Sequence, residues 1–151
     1  GGTKWYGHDE YIVKYAYDND KPLLGICLGM QILGVMDNRL NSGEFDMTVR
    51  NNTVINHQQR DVTFVHDVQI IENTLLHEIL KSDTIKVNSR HNYHVGGVVN
   101  LNIDAVSEDG LIEAVSIPNK KFIMGVQWHP EDMIDYDENS KKIFDYFVSK
   151  L

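Results

Sequence analysis

The only cysteine of the chain, Cys27, lies in Gly25-Ile26-Cys27-Leu28-Gly29-Met30-Gln31, and far downstream stands Gly125-Val126-Gln127-Trp128-His129-Pro130-Glu131. A thiol, an imidazole and a carboxylate are the parts of a nucleophilic triad. The thiolate attacks a carbonyl, the imidazole moves the proton, and the carboxylate orients the ring and stabilises its cation. An unassisted cysteine, with a pKa of roughly 8.5, is mostly thiol near neutrality, so a basic partner is needed. Glu131 follows His129 closely enough to bind one ring nitrogen and leave the other for the sulfur. Taken singly, each segment has an ordinary reading, a small buried thiol and a surface turn. Their joint presence favours the catalytic one.

The local sequence also says how the parts are held. Pro22 to Ile26 is a short apolar run suited to a buried strand, and Leu28 to Leu33 continues in residues that suit a helix. Cys27 is thereby expected on a strand-to-helix turn, with Gly25 and Gly29 allowing close approach and positive φ. The helix N-terminus offers unpaired backbone N-H groups and favours the thiolate. Phe122 to Trp128 reads as a second strand, and Pro130, which cannot donate to a ladder, ends it where the imidazole begins.

The rest of the chain has a βα rhythm followed by an antiparallel appendage. Asp9–Tyr17 is predicted helical, with Ile12, Val13 and Ala16 on one face. Asp37 to Arg60 is polar and turn-rich and reads as an irregular loop or hairpin. Strands are expected over 64–71 and 84–88, with a short helix between them capped by Asn73 or Thr74. Strands over 102–107 and 111–117 flank Glu108-Asp109-Gly110, a hairpin signal. A final helix over 139–151 places Ile143, Phe144, Phe147 and Val148 on one stripe.

Four segments resemble class I glutamine amidotransferase domains, and within them the γ-glutamyl hydrolase branch, including γ-glutamyl-γ-aminobutyrate hydrolases. They are Pro22 to Gln31, His66-Asp67-Val68-Gln69-Ile70, Val87-Asn88-Ser89-Arg90-His91, and Gly110-Leu111-Ile112-Glu113-Ala114-Val115 through to Glu131. The resemblance implies an α/β, flavodoxin-like fold with a mostly parallel sheet and flanking helices. It implies a cysteine-dependent hydrolase that cleaves a γ-glutamyl amide through a thioester, releasing glutamate and an amine. By position, Cys27 is the nucleophile, His129 the general acid and base, and Glu131 its orienter. The oxyanion donors are the N-H groups of Gly2 and Leu28. Gln31, Asn88, Ser89 and His91 are the implied substrate contacts, with Gln31 equally readable as an ordinary helix residue and His91 as a hydrogen-bonded loop residue.

The sequence departs from the family in two places. Family members carry further strands before the Gly-Gly segment, here Gly1-Gly2, so residues 1–151 are expected to form one catalytic domain that is N-terminally incomplete. Thr3-Lys4-Trp5-Tyr6 also replaces the usual continuation. Leu28, where γ-glutamyl hydrolases often carry Arg, is closer to glutaminases that deliver ammonia to a synthase, so a synthase subunit is a possible partner. A third alternative is a catalytically inactive interaction domain.

Composition narrows the classes further. With 42% hydrophobic and 24% charged residues over 151 positions, the chain suits one globular domain. A net charge of -8 argues against binding a nucleic-acid backbone. It also means that a glutamyl carboxylate must be received by local groups, such as Arg90 or backbone N-H. No apolar stretch is long enough to span a bilayer, and a single cysteine suits a reducing, cytoplasmic setting. No cofactor is expected. The pair His91 and His94 lacks a third ligand in sequence, so no metal is expected either. His66 reads as a structural core residue, and His8, His57 and His77 have no assigned role.

Overall fold

The computed structural model describes residues 7–41 and 48–151. Within them the elements run α1 (Gly7–Asp18), β1 (Leu23–Ile26), α2 (Leu28–Asn41), β2 (Val49–Arg50), β3 (Gln58–Gln59), β4 (His66–Ile70) and α3 (Leu75–Leu80). They continue β5 (Thr84–Val87), β6 (Ser89–Arg90), β7 (Tyr93–His94), β8 (Asn102–Ser107), β9 (Ile112–Ser116), β10 (Ile123–Val126), a 3-10 turn (Pro130–Asp132) and α4 (Glu138–Ser149). Gly1, Gly2 and the Thr3 to Tyr6 stretch lie outside the described residues.

Most expected elements form, and the differences have tertiary causes. α2 runs on through Asp37 and Asn38, which sequence reading gave to a loop. The Asp37 carboxylate accepts from the backbone N-H of Asn100 at 3.0 Å, and the Asn38 amide donates to Gly97 O at 2.9 Å. Polar residues that resemble a turn are thus buried anchors for the segment before β8. The expected stripes also narrow. Ala16 and Ile143 face inward, but Ile12 is 52% and Val148 61% exposed. Of the two candidate caps for α3, Thr74 takes the role, its hydroxyl accepting from His77 N-H, while Asn73 sits at φ 63°.

The main sheet has the strand order β1-β10-β9-β8-β4-β5. β1 and β10 pair in parallel, and every other neighbouring pair is antiparallel. The expected α/β class holds, but the mostly parallel sheet does not describe these residues. The short connections β8 to β9 and β9 to β10 permit only antiparallel pairing, whereas β1 and β10, remote in sequence, need no tight turn. Among the described residues β1 is an edge strand.

Both faces of the sheet are covered, as the alternation of side chains requires. On one face Ala16, Met30 and Leu33 of α1 and α2 pack with Val115 and Ile123. On the other, Leu76, Ile79 and Leu80 of α3 and Ile143 of α4 pack with Val68, Ala114, Met124 and Val126. The parallel β1–β10 pair lies at the meeting point of these layers. Its carboxyl ends deliver Cys27 and, shortly after, His129 to the same edge.

Candidate active site

Cys27 is the single residue between β1 and α2, and its φ is 51°. For a residue with a Cβ this left-handed conformation costs on the order of 1–3 kcal/mol and persists only where the surroundings enforce it. Here they do so from both sides. Cys27 N-H donates to Val126 O at 2.8 Å, and Cys27 O accepts from Gln31 N-H at 3.2 Å. The positive φ thus falls on Cys27 itself and not on the flanking glycines. Gly25 contributes differently, because a Cβ there would stand 2.8 Å from the Gly29 carbonyl carbon. The bare strand lets the first turn of α2 fold back onto it. Gly125 does the same from β10, where a Cβ would meet Met30 Cβ at 2.8 Å.

Past β10 the chain is fixed by Trp128, which is 1% exposed, before the Pro130 turn begins. Between them His129 is clamped through its backbone. Its N-H donates to Asn88 Oδ1 at 2.8 Å, and its carbonyl accepts from Asn88 Nδ2 at 2.9 Å. On the ring, Nδ1 lies 2.6 Å from Glu131 Oε1. Hydrogen bonding to Cys27 is the main cause of a His129 pKa raised to about 9; burial opposes it, and the Glu131 carboxylate adds to it. The imidazole is therefore a cation at neutral pH, with the Glu131 carboxylate on its Nδ1. Gln127, fully buried, directs its Nε2 at the Cys27 sulfur from 3.5 Å. Sequence reading quoted Gln127 in its motif and gave it no role.

The other expected site residues divide into two groups. Leu28 opens α2, so its N-H has no intrahelical partner. Gly2, the second expected oxyanion donor, lies outside the described residues. The expected substrate contacts are buried instead. Gln31 is 1% exposed and donates to Tyr93 O at 2.9 Å. Asn88 spends its amide on His129, Ser89 Oγ lies 2.9 Å from His57 Nδ1, and His91 Nδ1 lies 2.9 Å from Tyr93 O. The side chains of Asn88, Ser89 and His91 are thus buried and engaged within the protein. Of that loop Arg90 is the residue at the surface, paired with Asp132 beside the triad.

His57, without a role in sequence, is central to a buried cluster with His66, His91 and Glu113. Burial raises the Glu113 carboxyl to about 7 and lowers His91 to about 4. These residues come from β4, β9 and the loops bordering β3 and β6, so no local spacing announces them. Surface cavities of about 420 and 490 Å³ open over Asp67, Gln69 and Val106 and beside α3, and neither is lined by Cys27 or His129.

The sequence profile of the family described as Peptidase C26 matches residues 8–131. Protein NtpR of Enterococcus hirae is 32% identical over 146 residues, covering 93% of this chain and 59% of its own length. A CTP synthase of Christiangramia forsetii is 29% identical, covering 79% of this chain and 26% of its own. Among solved structures, the glutaminase domain of Trypanosoma brucei CTPS with bound acivicin aligns with a TM-score of 0.66 at 21% identity, over 95% of this chain and 66% of that one. The chain thus spans well under two thirds of the length of these curated relatives.

Proposed function

The chain belongs to the Peptidase C26, class I glutamine amidotransferase-like family, and from that premise we propose that it cleaves a γ-glutamyl amide by covalent catalysis at Cys27. The observation that carries the reading is the joint placement of Cys27, at φ 51° on the turn after β1, and of His129 just past the end of the parallel neighbour β10, with His129 Nδ1 2.6 Å from Glu131 Oε1. The Cys27 thiolate attacks the amide carbonyl carbon, and the negative charge passes to the carbonyl oxygen. The Leu28 N-H supplies one oxyanion donor and, by resemblance, the Gly2 N-H the other. As the C-N bond breaks, protonated His129 gives its proton to the departing amine, leaving a thioester. Neutral His129 then takes a proton from water, whose oxygen attacks the thioester. Glutamate leaves and the thiolate returns. Glu131 holds the ring in the tautomer that both halves need.

Substrate choice separates the readings. A hydrolase of substituted γ-glutamyl amides accepts N-alkyl amides, whereas a glutaminase that feeds ammonia to a synthase prefers glutamine itself. Similarity to CTP synthases supports the second reading. A panel comparing glutamine with N-alkyl γ-glutamyl amides, followed by glutamate release, tests both. We expect turnover that disappears in Cys27→Ser. Absence of turnover with every member of the panel would point to an inactive interaction domain, and unchanged turnover in Cys27→Ser would exclude the covalent route.

A further inference from the structure

We propose that His57, His91 and Glu113 form a buried site for a divalent transition-metal ion of the zinc class. The inference is independent of the amide-cleavage reading. Three imidazole nitrogens converge on one oxygen: His57 Nδ1 at 3.8 Å, His66 Nε2 at 3.6 Å and His91 Nε2 at 3.6 Å from Glu113 Oε1. All four side chains are essentially inaccessible to solvent. These separations are too long for hydrogen bonds. His66 Nε2, His91 Nε2 and both Glu113 oxygens accordingly have no partner, a costly state for buried polar groups.

The outer contacts decide which ring nitrogens carry hydrogen. His57 Nε2 lies 2.8 Å from Asp109 Oδ2, His91 Nδ1 2.9 Å from Tyr93 O, and His66 Nδ1 3.0 Å from Asp67 O. Carbonyl and carboxylate oxygens only accept, so these outer nitrogens donate; the Asn51 amide, 3.2 Å from His91 Nδ1, donates to His91 O at 3.0 Å. The inner nitrogens therefore point lone pairs at Glu113. An oxygen acceptor behind a histidine whose other nitrogen faces inward is the usual support of a metal ligand, and Asp109–His57 has this form. Lone pairs gathered around a carboxylate are satisfied by a shared proton or by a cation, and a metal ion satisfies them all at once.

Spacing favours a metal over a trapped water. Tetrahedral zinc, with ligands at about 2.0–2.1 Å, sets neighbouring ligand atoms about 3.4 Å apart. A water hydrogen-bonded to each at about 2.8 Å would spread them to about 4.5 Å. The separations of Glu113 Oε1 from His57 Nδ1 and His91 Nε2, 3.8 and 3.6 Å, lie nearer the first value, and the ligand atoms of the three residues all lie within 4.8 Å of one another. One contact competes, since Ser89 Oγ stands 2.9 Å from His57 Nδ1, and its hydroxyl would turn away on binding. The ligands leave no opening to solvent, so the role is structural. Ser89 adjoins Asn88, whose amide clamps His129, and the ion would brace that loop. A second cluster, His129, Glu131 and Asp132, is at the surface, and its members are engaged with Cys27, with one another and with Arg90.

The test is to unfold the full chain with a chelator, refold it with or without Zn²⁺, desalt it, and measure zinc per chain, melting temperature and the zinc X-ray absorption edge. We expect one zinc per chain, a first shell of nitrogen and oxygen only, and a melting temperature about 5 °C or more above the metal-free form. Cys27→Ser should retain the zinc and Glu113→Gln should lose it. Should Glu113→Gln fail to fold, the wild-type absorption edge and the Cys27→Ser zinc content still decide. Substoichiometric zinc with an unchanged melting temperature would overturn the proposal, as would sulfur in the first shell or loss of the zinc in Cys27→Ser.

Discussion

At neutral pH His129 is a cation, and its proton is the one the leaving amine needs. Because its pKa is raised to about 9, the acid form is present through neutrality and is lost as pH rises through that value. kcat/KM for amide cleavage should therefore fall on an alkaline limb near pH 9, measurable as a pH-rate profile. Glu131→Gln removes one of the contributions that raise this pKa, so the limb should move to lower pH; a limb that stays in place would deny Glu131 its orienting role. Asn88 acts on the same ring through the backbone. Asn88→Ala should lower kcat about 10- to 100-fold with little change in KM, because a small displacement of a catalytic group carries such a penalty. The proposed triad was legible in sequence since Cys27, His129 and Glu131 each sit in a local motif. The clamp was not, because what Asn88 touches depends on how β6 and the end of β10 are brought together.

Elements are where glycine matters. Gly25→Ala and Gly125→Ala each place a methyl 2.8 Å from α2 atoms and should destabilise by about 1–3 kcal/mol, read as a lower denaturant midpoint. Gly29, with nothing within 4 Å of a built Cβ, serves as the contrast, and Gly29→Ala should be neutral or stabilising. Local signals predicted their elements well. The Glu108-Asp109-Gly110 hairpin forms with Gly110 at φ 89°, and Thr74 caps α3 as its position suggests. Sequence reading failed where a distant partner decides the outcome. Asp37 and Asn38 look like a turn until the segment before β8 supplies the donors and acceptors that bury them in α2.

For the whole molecule, two helical layers enclose a sheet whose one parallel pair, β1–β10, carries the chemistry at its carboxyl end. The α/β class was readable from the strand and helix rhythm. The strand order, and with it the gathering of His57, His66, His91 and Glu113, was not, since it follows from long-range pairing that no local window contains. Among the described residues no helix is long and apolar enough to cross a membrane. A net charge of -8 disfavours polyanionic partners. The most direct test mixes the protein with a γ-glutamyl amide, quenches in acid, and weighs the intact chain. The account predicts one γ-glutamyl group, mapped to the Cys27 peptide, released by hydroxylamine and absent in Cys27→Ser; a γ-glutamyl group on any other residue, or turnover that survives Cys27→Ser, would contradict it.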